Sequence, residues 1–356
     1  MTNLASVMGV QIGAIRQREV KAMPALPPLD GLRASAILIV MLSHTALGKV
    51  VPGGTGVTIF FFLSGYLITT LLRIEAANTG RVSLRNFYYK RTLRIMPPMF
   101  LTIALVATLT VVKWIDHPLW PIGVLTDVAF LSNYPQLIGG WRGVYMPLWS
   151  LDVEEHYYIL FSTLFALILA KVSSRRAAVV CVGLAAVPLL IRLGMAFRGA
   201  DLSYVYYWTH TRLDSILWGS ILALWQNPVV DDDAWKPKLW HFGLALVALA
   251  GCLALRNPVF RETLRYTIQG AALLVVFSYL LQDRSILARA LGSRPLRFIA
   301  LISYTLYLAH MPAIAIAEHF KWHAPVITGL ALAFLYAILM RAIVEKPLQA
   351  LRRSRH

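Results

Sequence analysis

Charge is what this sequence has least of. Asp, Glu, Lys and Arg together make up 14% of its 356 residues, whereas 58% are hydrophobic. An average soluble domain carries about 25% charged residues, so an ordinary water-soluble fold is excluded. Acidic residues are scarcer still, 17 against 34 basic ones. The resulting excess of +17 would suit nucleic acid if it lined one face of a soluble module. Here the basic residues fall mainly between apolar runs, and no nucleic-acid partner is expected. Only two cysteines occur, Cys181 and Cys252, each inside an apolar run, which argues against a disulfide framework or a thiolate metal site. The nine histidines show no HExxH-type spacing, so no metal is expected. No internal repeat, low-complexity tract or long linker divides the chain.

What is abundant is apolar sequence in lengths that match a bilayer. Runs of roughly 17 to 25 residues begin near positions 31, 56, 95, 145, 177, 206, 239, 264, 298 and 325. The fold expected is therefore an all-α integral membrane protein, a bundle of about ten transmembrane helices. The run "LWPIGVLTDVAFLSNY" is weaker, carries Pro121 and Asp127, and reads as a re-entrant or interfacial piece. Counting it out leaves most Lys and Arg residues on one side, including Arg73 to Arg94, Arg175, Arg176 and Arg284 to Arg297, as the positive-inside rule requires. Both termini are then cytoplasmic. Residues 1–28 hold Arg16, Arg18 and Lys21 without an apolar core and read as a cytoplasmic tail rather than a cleaved signal. Residues 29–348 form one membrane domain, and 349–356 a basic cytoplasmic tail.

A charged side chain at the middle of a spanning helix costs on the order of 2.5 to 3.5 kcal/mol, so such residues normally face a cavity or a partner. "LDGLRASAILIVMLSHTALG" ends its apolar run with His44. "PLWSLDVEEHYY" places Trp149, Asp152, Glu154, Glu155 and His156 close together. "WTHTRLDSILWG" supplies His210, Arg212 and Asp214, and "ISYTLYLAH" puts Ser303, Tyr307 and His310 on one helix face at i, i+4 and i+7. With the topology above, these clusters and His44 share the outer half of the membrane. Fixing helix packing explains a buried Arg212 and Asp214 equally well, and His156, His210 and His310 are each explained more readily as packing or hydrogen-bonding residues than as catalysts. Arg212 and Asp214, two residues apart, point to nearly opposite sides, and of the adjacent Glu154 and Glu155 at most one faces a common site. On the other side, Lys90, Arg91 and Arg94 in "NFYYKRTLRIMPPMF" are explained as membrane-flanking anchors. Arg91 and Arg94, three apart, are also able to grip a polyphosphate together if such a ligand is otherwise expected.

The motifs "LDGLRASAILIVMLSHT", "FFFLSGYLITTLL", "YYKRTLRIMPP", "PLWSLDVEEHYY", "TRLDSILWG", "ISYTLYLAHMP" and "VEKPLQ" follow one another from about Leu29 to Leu348. In order and spacing the sequence resembles the membrane-bound acyltransferase family 3, which contains bacterial O-antigen, exopolysaccharide and Nod-factor O-acetyltransferases. The resemblance implies transfer of an acyl group, usually acetyl from cytoplasmic acetyl-CoA, to a hydroxyl of a carbohydrate or similar acceptor, at a bacterial inner membrane. It maps the family's functional first-helix histidine onto His44, its acyl-CoA-linked R-x-x-R motif onto Arg91 and Arg94 with Lys90 beside them, its acidic pair onto Glu154 and Glu155, and its R-x-D segment onto Arg212 and Asp214. Two positions depart from the family pattern: Thr58 stands where an Asp is usual, and His156 where Gln is usual.

Within that resemblance His44 serves as general base or transient acyl carrier, because a neutral imidazole titrates in the working range. Glu154 or Glu155 would orient it, Arg212 or Tyr307 would stabilise the developing oxyanion, and Trp149, His156, Asp214 and His310 would contact the acceptor. The alternative is a proton-coupled transporter, which the absence of an inverted repeat or of paired broken helices disfavours. A scaffold subunit of an export complex is the third reading.

Overall fold

The computed structural model describes residues 22–282 and 285–353. Among them every regular element is helical: α1 (Pro27–Ser43), α2 (Gly53–Thr79), α3 (Leu84–Val111), a short α4 (Pro121–Val128), α5 (Trp149–Leu167), α6 (Ser174–Phe197), α7 (Thr209–Trp225), α8 (Leu239–Ala254), α9 (Pro258–Glu262), α10 (Leu264–Gln282), α11 (Ile286–Leu291), α12 (Arg294–His319), α13 (Pro325–Met340) and α14 (Lys346–Arg353). A π-helical turn over Arg341–Glu345 joins the last two. Of the two stretches read from sequence as cytoplasmic tails, 1–28 and 349–356, the segment to Lys21 and the last three residues lie outside the described residues.

Each of the ten apolar runs becomes a helix. Seven are long and apolar enough to cross a membrane: Gly53–Thr79, Leu84–Val111, Trp149–Lys171, Ser174–Phe197, Leu264–Gln282, Arg294–His319 and Pro325–Leu351. The remaining three are shorter, α1 and α7 at 17 residues and α8 at 16. At about 1.5 Å per residue they cover roughly 25 Å, less than the ~30 Å hydrocarbon core. Helices α1 and α7 are also among the most enclosed, with Ala34, Ala36, Ile37, Ile216 and Leu222 fully buried. The weak run at Pro121, read from sequence as a re-entrant or interfacial piece, folds as an eight-residue helix.

Small residues set how closely α2 and α7 approach. A Cβ added at Gly65 would strike the Ile216 carbonyl, and one at Gly219 would strike the Phe62 carbonyl. Such reciprocal glycines let two helix backbones touch where lipid tails give no hydrophobic drive for association. Around this contact the buried aromatics Phe61, Phe62, Tyr66, Tyr157, Tyr158 and Phe277 form the main core. Helix α1 packs between α2 and α12. Arg33 on this helix and His44 at its end each line one of two cavities.

Candidate active site

Two cavities of about 520 Å³ each open in the bundle, and they adjoin through shared lining residues. The first, the histidine cavity, is walled by His44 at the end of α1, Trp149 at the start of α5, Tyr206, and His310 on α12. The second, the arginine cavity, takes Arg33 from α1, Arg91 and Arg94 from α3, Glu154 from α5 and Arg341 with Glu345 from the π-helical turn. Val57 and Tyr307 line both. The i, i+4, i+7 row on α12 runs along this seam: Ser303 faces the arginine cavity, Tyr307 the junction and His310 the histidine cavity. Tyr307 is held there by a 2.7 Å hydrogen bond between its hydroxyl and that of Ser150.

Local capping places His44. The Ser43 hydroxyl donates to the Val40 carbonyl and the Thr45 hydroxyl to that of Leu42, while Thr45 also accepts from Leu47 N–H to start a 3-10 turn over Ala46–Lys49. Serine and threonine compete for backbone groups in this way and end helices. The His44 ring is thus left at the helix end, open to the cavity, 5.0 Å from the His310 ring centre. Surrounding protein pushes the His44 imidazole below its ordinary pKa by desolvation, so it is neutral at pH 7.

The loop between α4 and α5 closes the same cavity and is fastened by carboxylates. Asp152 accepts from the Ser132 hydroxyl at 2.5 Å and from Asn133 N–H at 2.9 Å. Asp127 accepts Val144 N–H at 2.7 Å, yet burial pushes its carboxyl up to about 7. The loop presents Trp141 and Arg142 to the cavity, the guanidinium lying 4.0 Å above the Trp120 ring.

The structure groups the other sequence-derived residues differently. Glu154 and Glu155 both engage Arg91, Glu155 through Nε at 3.2 Å and Glu154 through Nη2 at 3.7 Å, and the guanidinium also lies over the Tyr158 ring. Both carboxylates therefore serve Arg91. Glu154 accepts in addition from the hydroxyls of Ser64 and Tyr158. Lys90 sits on the same turn as Arg91 but is not among the lining residues of the arginine cavity.

Arg212 and Asp214 part as the helix period demands. Asp214 is fully buried in an ion pair with Arg192 of α6 at 2.7 Å, away from both cavities. Arg212 is fully buried behind the cavity wall, its guanidinium 3.9 Å from the Tyr266 ring centre and within 6 Å of those of Phe61, Trp149 and Tyr206, with Nη2 donating to Thr58 at 3.3 Å. His156 bonds Thr209 at 2.6 Å and faces neither cavity. Among the described residues no three His, Cys, Asp or Glu side chains gather as a metal site.

Sequence reasoning passed over Arg33, Arg341 and Glu345. The signal for Arg33 was a cation inside the first apolar run, 11 residues and roughly 16 Å of helix before His44. Arg341 and Glu345 pair at 3.4 Å, and the Thr305 hydroxyl donates to Glu345 at 2.6 Å. Both line the arginine cavity from the π-helical turn, a feature frequent at functional sites.

The chain matches the family profile described as an acyltransferase domain, family 3, over residues 27–344. It is 28% identical over 351 residues to YrhL of Bacillus subtilis (strain 168), whose name assigns it provisionally to peptidoglycan O-acetylation; the match covers 91% of this chain and 55% of that protein. It is also 28% identical over 349 residues to the O-acetyltransferase OatA of Staphylococcus aureus (strain NCTC 8325 / PS 47), covering 91% and 57%. The chain thus spans a little over half the length of these relatives. No solved structure matches it. Because the family profile covers residues 27–344 of the 356, the chain belongs to the acyltransferase 3 family.

Proposed function

We propose that this chain is a membrane O-acetyltransferase that moves an acetyl group from acetyl-CoA to a hydroxyl of a cell-wall or exported carbohydrate. The observation that carries the reading is the shared lining of the two cavities at Tyr307 and Val57. A donor in one and an acceptor in the other would meet there. The arginine cavity suits the donor's phosphates, since Arg33, Arg91, Arg94 and Arg341 line it and guanidinium groups bind phosphate oxygens in pairs. Its position against α3, whose flanking loop is basic, supports a cytoplasmic side for it, in an arrangement with ten helices embedded and both termini inside. The apolar and aromatic walls of the histidine cavity suit the face of a sugar ring, with Trp149, Tyr206 and Trp141 around it. The relatives named for O-acetylation favour an acetyl donor and a glycan acceptor.

In the reaction the acceptor O–H bond breaks and its proton passes to neutral His44. The oxygen bonds to the thioester carbonyl carbon, the C–S bond breaks, and the imidazolium returns the proton to the departing thiolate. Tyr307, at the junction, is placed to donate its hydroxyl hydrogen to the oxyanion, and Arg212 adds positive potential from behind Trp149. Glu154 and Glu155 act through Arg91, which they hold in the donor cavity. The test is CoA release from acetyl-CoA by the protein in lipid nanodiscs with glycan acceptors. Wild type releases CoA, and folded His44→Ala falls at least about 10²-fold, the usual contribution of a positioned base. Movement of labelled glycan across vesicles without acetyl-CoA, and no CoA release, would establish a carrier instead.

A further inference from the structure

His310 is fully buried on α12, and the mechanism above leaves it without a task. Its Nδ1 lies 2.8 Å from the backbone carbonyl of Tyr307. A carbonyl oxygen only accepts, so Nδ1 carries the hydrogen and the neutral ring keeps its lone pair on Nε2. That nitrogen is buried and has no hydrogen-bond partner among the described residues. Buried acceptors are nearly always satisfied, so an orphaned one asks for a donor.

The neighbour able to supply one is His44, whose ring centre is 5.0 Å away at a 57° tilt. Two imidazoles joined by an N–H···N bond have centres about 5 Å apart, from ~2.9 Å between nitrogens and roughly 1.1 Å from each nitrogen to its ring centre. The spacing of the two rings therefore matches the length of such a bond. Among the described residues no side chain holds that ring by a hydrogen bond, and the carboxylates of Glu154 and Glu155 are occupied by Arg91.

We propose that His310 is a positioning residue: its bare Nε2 accepts a hydrogen bond from one nitrogen of His44, which leaves the other nitrogen of His44 bare to take the acceptor's proton. The relay runs from the Tyr307 carbonyl through His310 to His44 and links the base to the residue at the cavity junction. This rests on the acyl-transfer reading of His44 and names what fixes its tautomer, the part a carboxylate plays in hydrolase triads. A neutral orienter differs from a carboxylate in leaving the imidazolium without a counter-charge.

The test uses the full chain in nanodiscs with histidine labelled in nitrogen-15. His310→Asn keeps an N–H near the Nδ1 position for the Tyr307 carbonyl and deletes Nε2. His310→Gln sets an amide oxygen near the Nε2 position and restores an acceptor. The His44 signals are assigned by their loss in His44→Asn. In wild type His44 should show a single neutral tautomer. His310→Asn should give a tautomer mixture and acetyl-CoA turnover lowered about 10- to 100-fold, as loss of an outer-shell partner does. His310→Gln should return the single tautomer and most of the turnover. The proposal is overturned if His310→Asn leaves the His44 spectrum as in wild type, or if the Gln and Asn variants lose turnover equally with that spectrum unchanged. Should wild type turn over no acetyl-CoA, the acyl-transfer reading fails, and the His44 tautomer in the two variants still decides the contact.

Discussion

Arg91 illustrates how a residue's neighbours change what a substitution does. As a phosphate ligand alone, its loss would weaken acetyl-CoA binding and spare the fold. In the structure it also neutralises Glu154 and Glu155, and Arg91→Ala strands two largely buried carboxylates beside each other. Breaking such a pair costs about 3 kcal/mol, so Arg91→Ala should lower the unfolding temperature in detergent as well as raise KM for acetyl-CoA. Pairing Arg91→Ala with Glu155→Gln should recover part of the stability and none of the KM. His44 gives the second prediction at this scale. Burial lowers its pKa, and only the neutral ring accepts a proton, so turnover should be flat above neutrality and fall with acid along a limb below the ordinary 6.5. A limb near 7 in the pH–rate profile would belong instead to Asp127 in the same cavity and would vanish in Asp127→Asn.

At the scale of elements, the α2–α7 contact is the most exacting. Adding one methyl at Gly65 or Gly219 pushes it into a backbone carbonyl of the other helix, which no side-chain rotation relieves. Gly65→Ala and Gly219→Ala should each destabilise by roughly 1 to 3 kcal/mol, the range for overpacking, and the loss should show in thermal unfolding in detergent. Gly183 and Gly243, with nothing within 4 Å of an added Cβ, should tolerate Ala and serve as controls. Sequence made the helices themselves plain. Apolar runs located ten of them, and the i, i+4, i+7 spacing placed Ser303, Tyr307 and His310 on one face, which is the face that follows the two cavities. Partners were less legible. The period told that Arg212 and Asp214 diverge, and it held no information that Arg192 waits opposite one and an aromatic cage opposite the other, because those contacts come from segments far along the chain.

For the whole molecule, the ends of the helices sort cleanly. Helix α2 starts against the histidine cavity at Gly53 and ends near the basic turn preceding α3, so the two cavities open toward opposite ends of the bundle. Single cysteines placed at exposed Leu137, in the loop over the histidine cavity, and at exposed Arg81 test the orientation. In intact cells a membrane-impermeant maleimide should label Leu137→Cys, whereas Arg81→Cys should react only after permeabilisation. The reverse pattern would turn the donor cavity away from the cytoplasm and overturn the proposed entry of acetyl-CoA. The native Cys181 and Cys252 are buried and give little background.

Hydrophobicity and period are local properties, and they alone decided that this is a helical membrane protein, where its helices lie and which of them carry polar residues that lipid would not tolerate. Charge placement between the runs added an expected orientation. The tertiary structure decided the rest: that Arg33 and Arg94 face one cavity with Arg91, that Glu154 and Glu155 answer to Arg91 instead of His44, that Tyr307 lines both cavities, and that the His310 ring, one nitrogen of it without a partner among the described residues, lies 5.0 Å from that of His44. Each of these is a relation between helices distant in sequence, set by how ridges and small residues let them pack. A single sequence records the residues that meet and leaves their meeting to the fold.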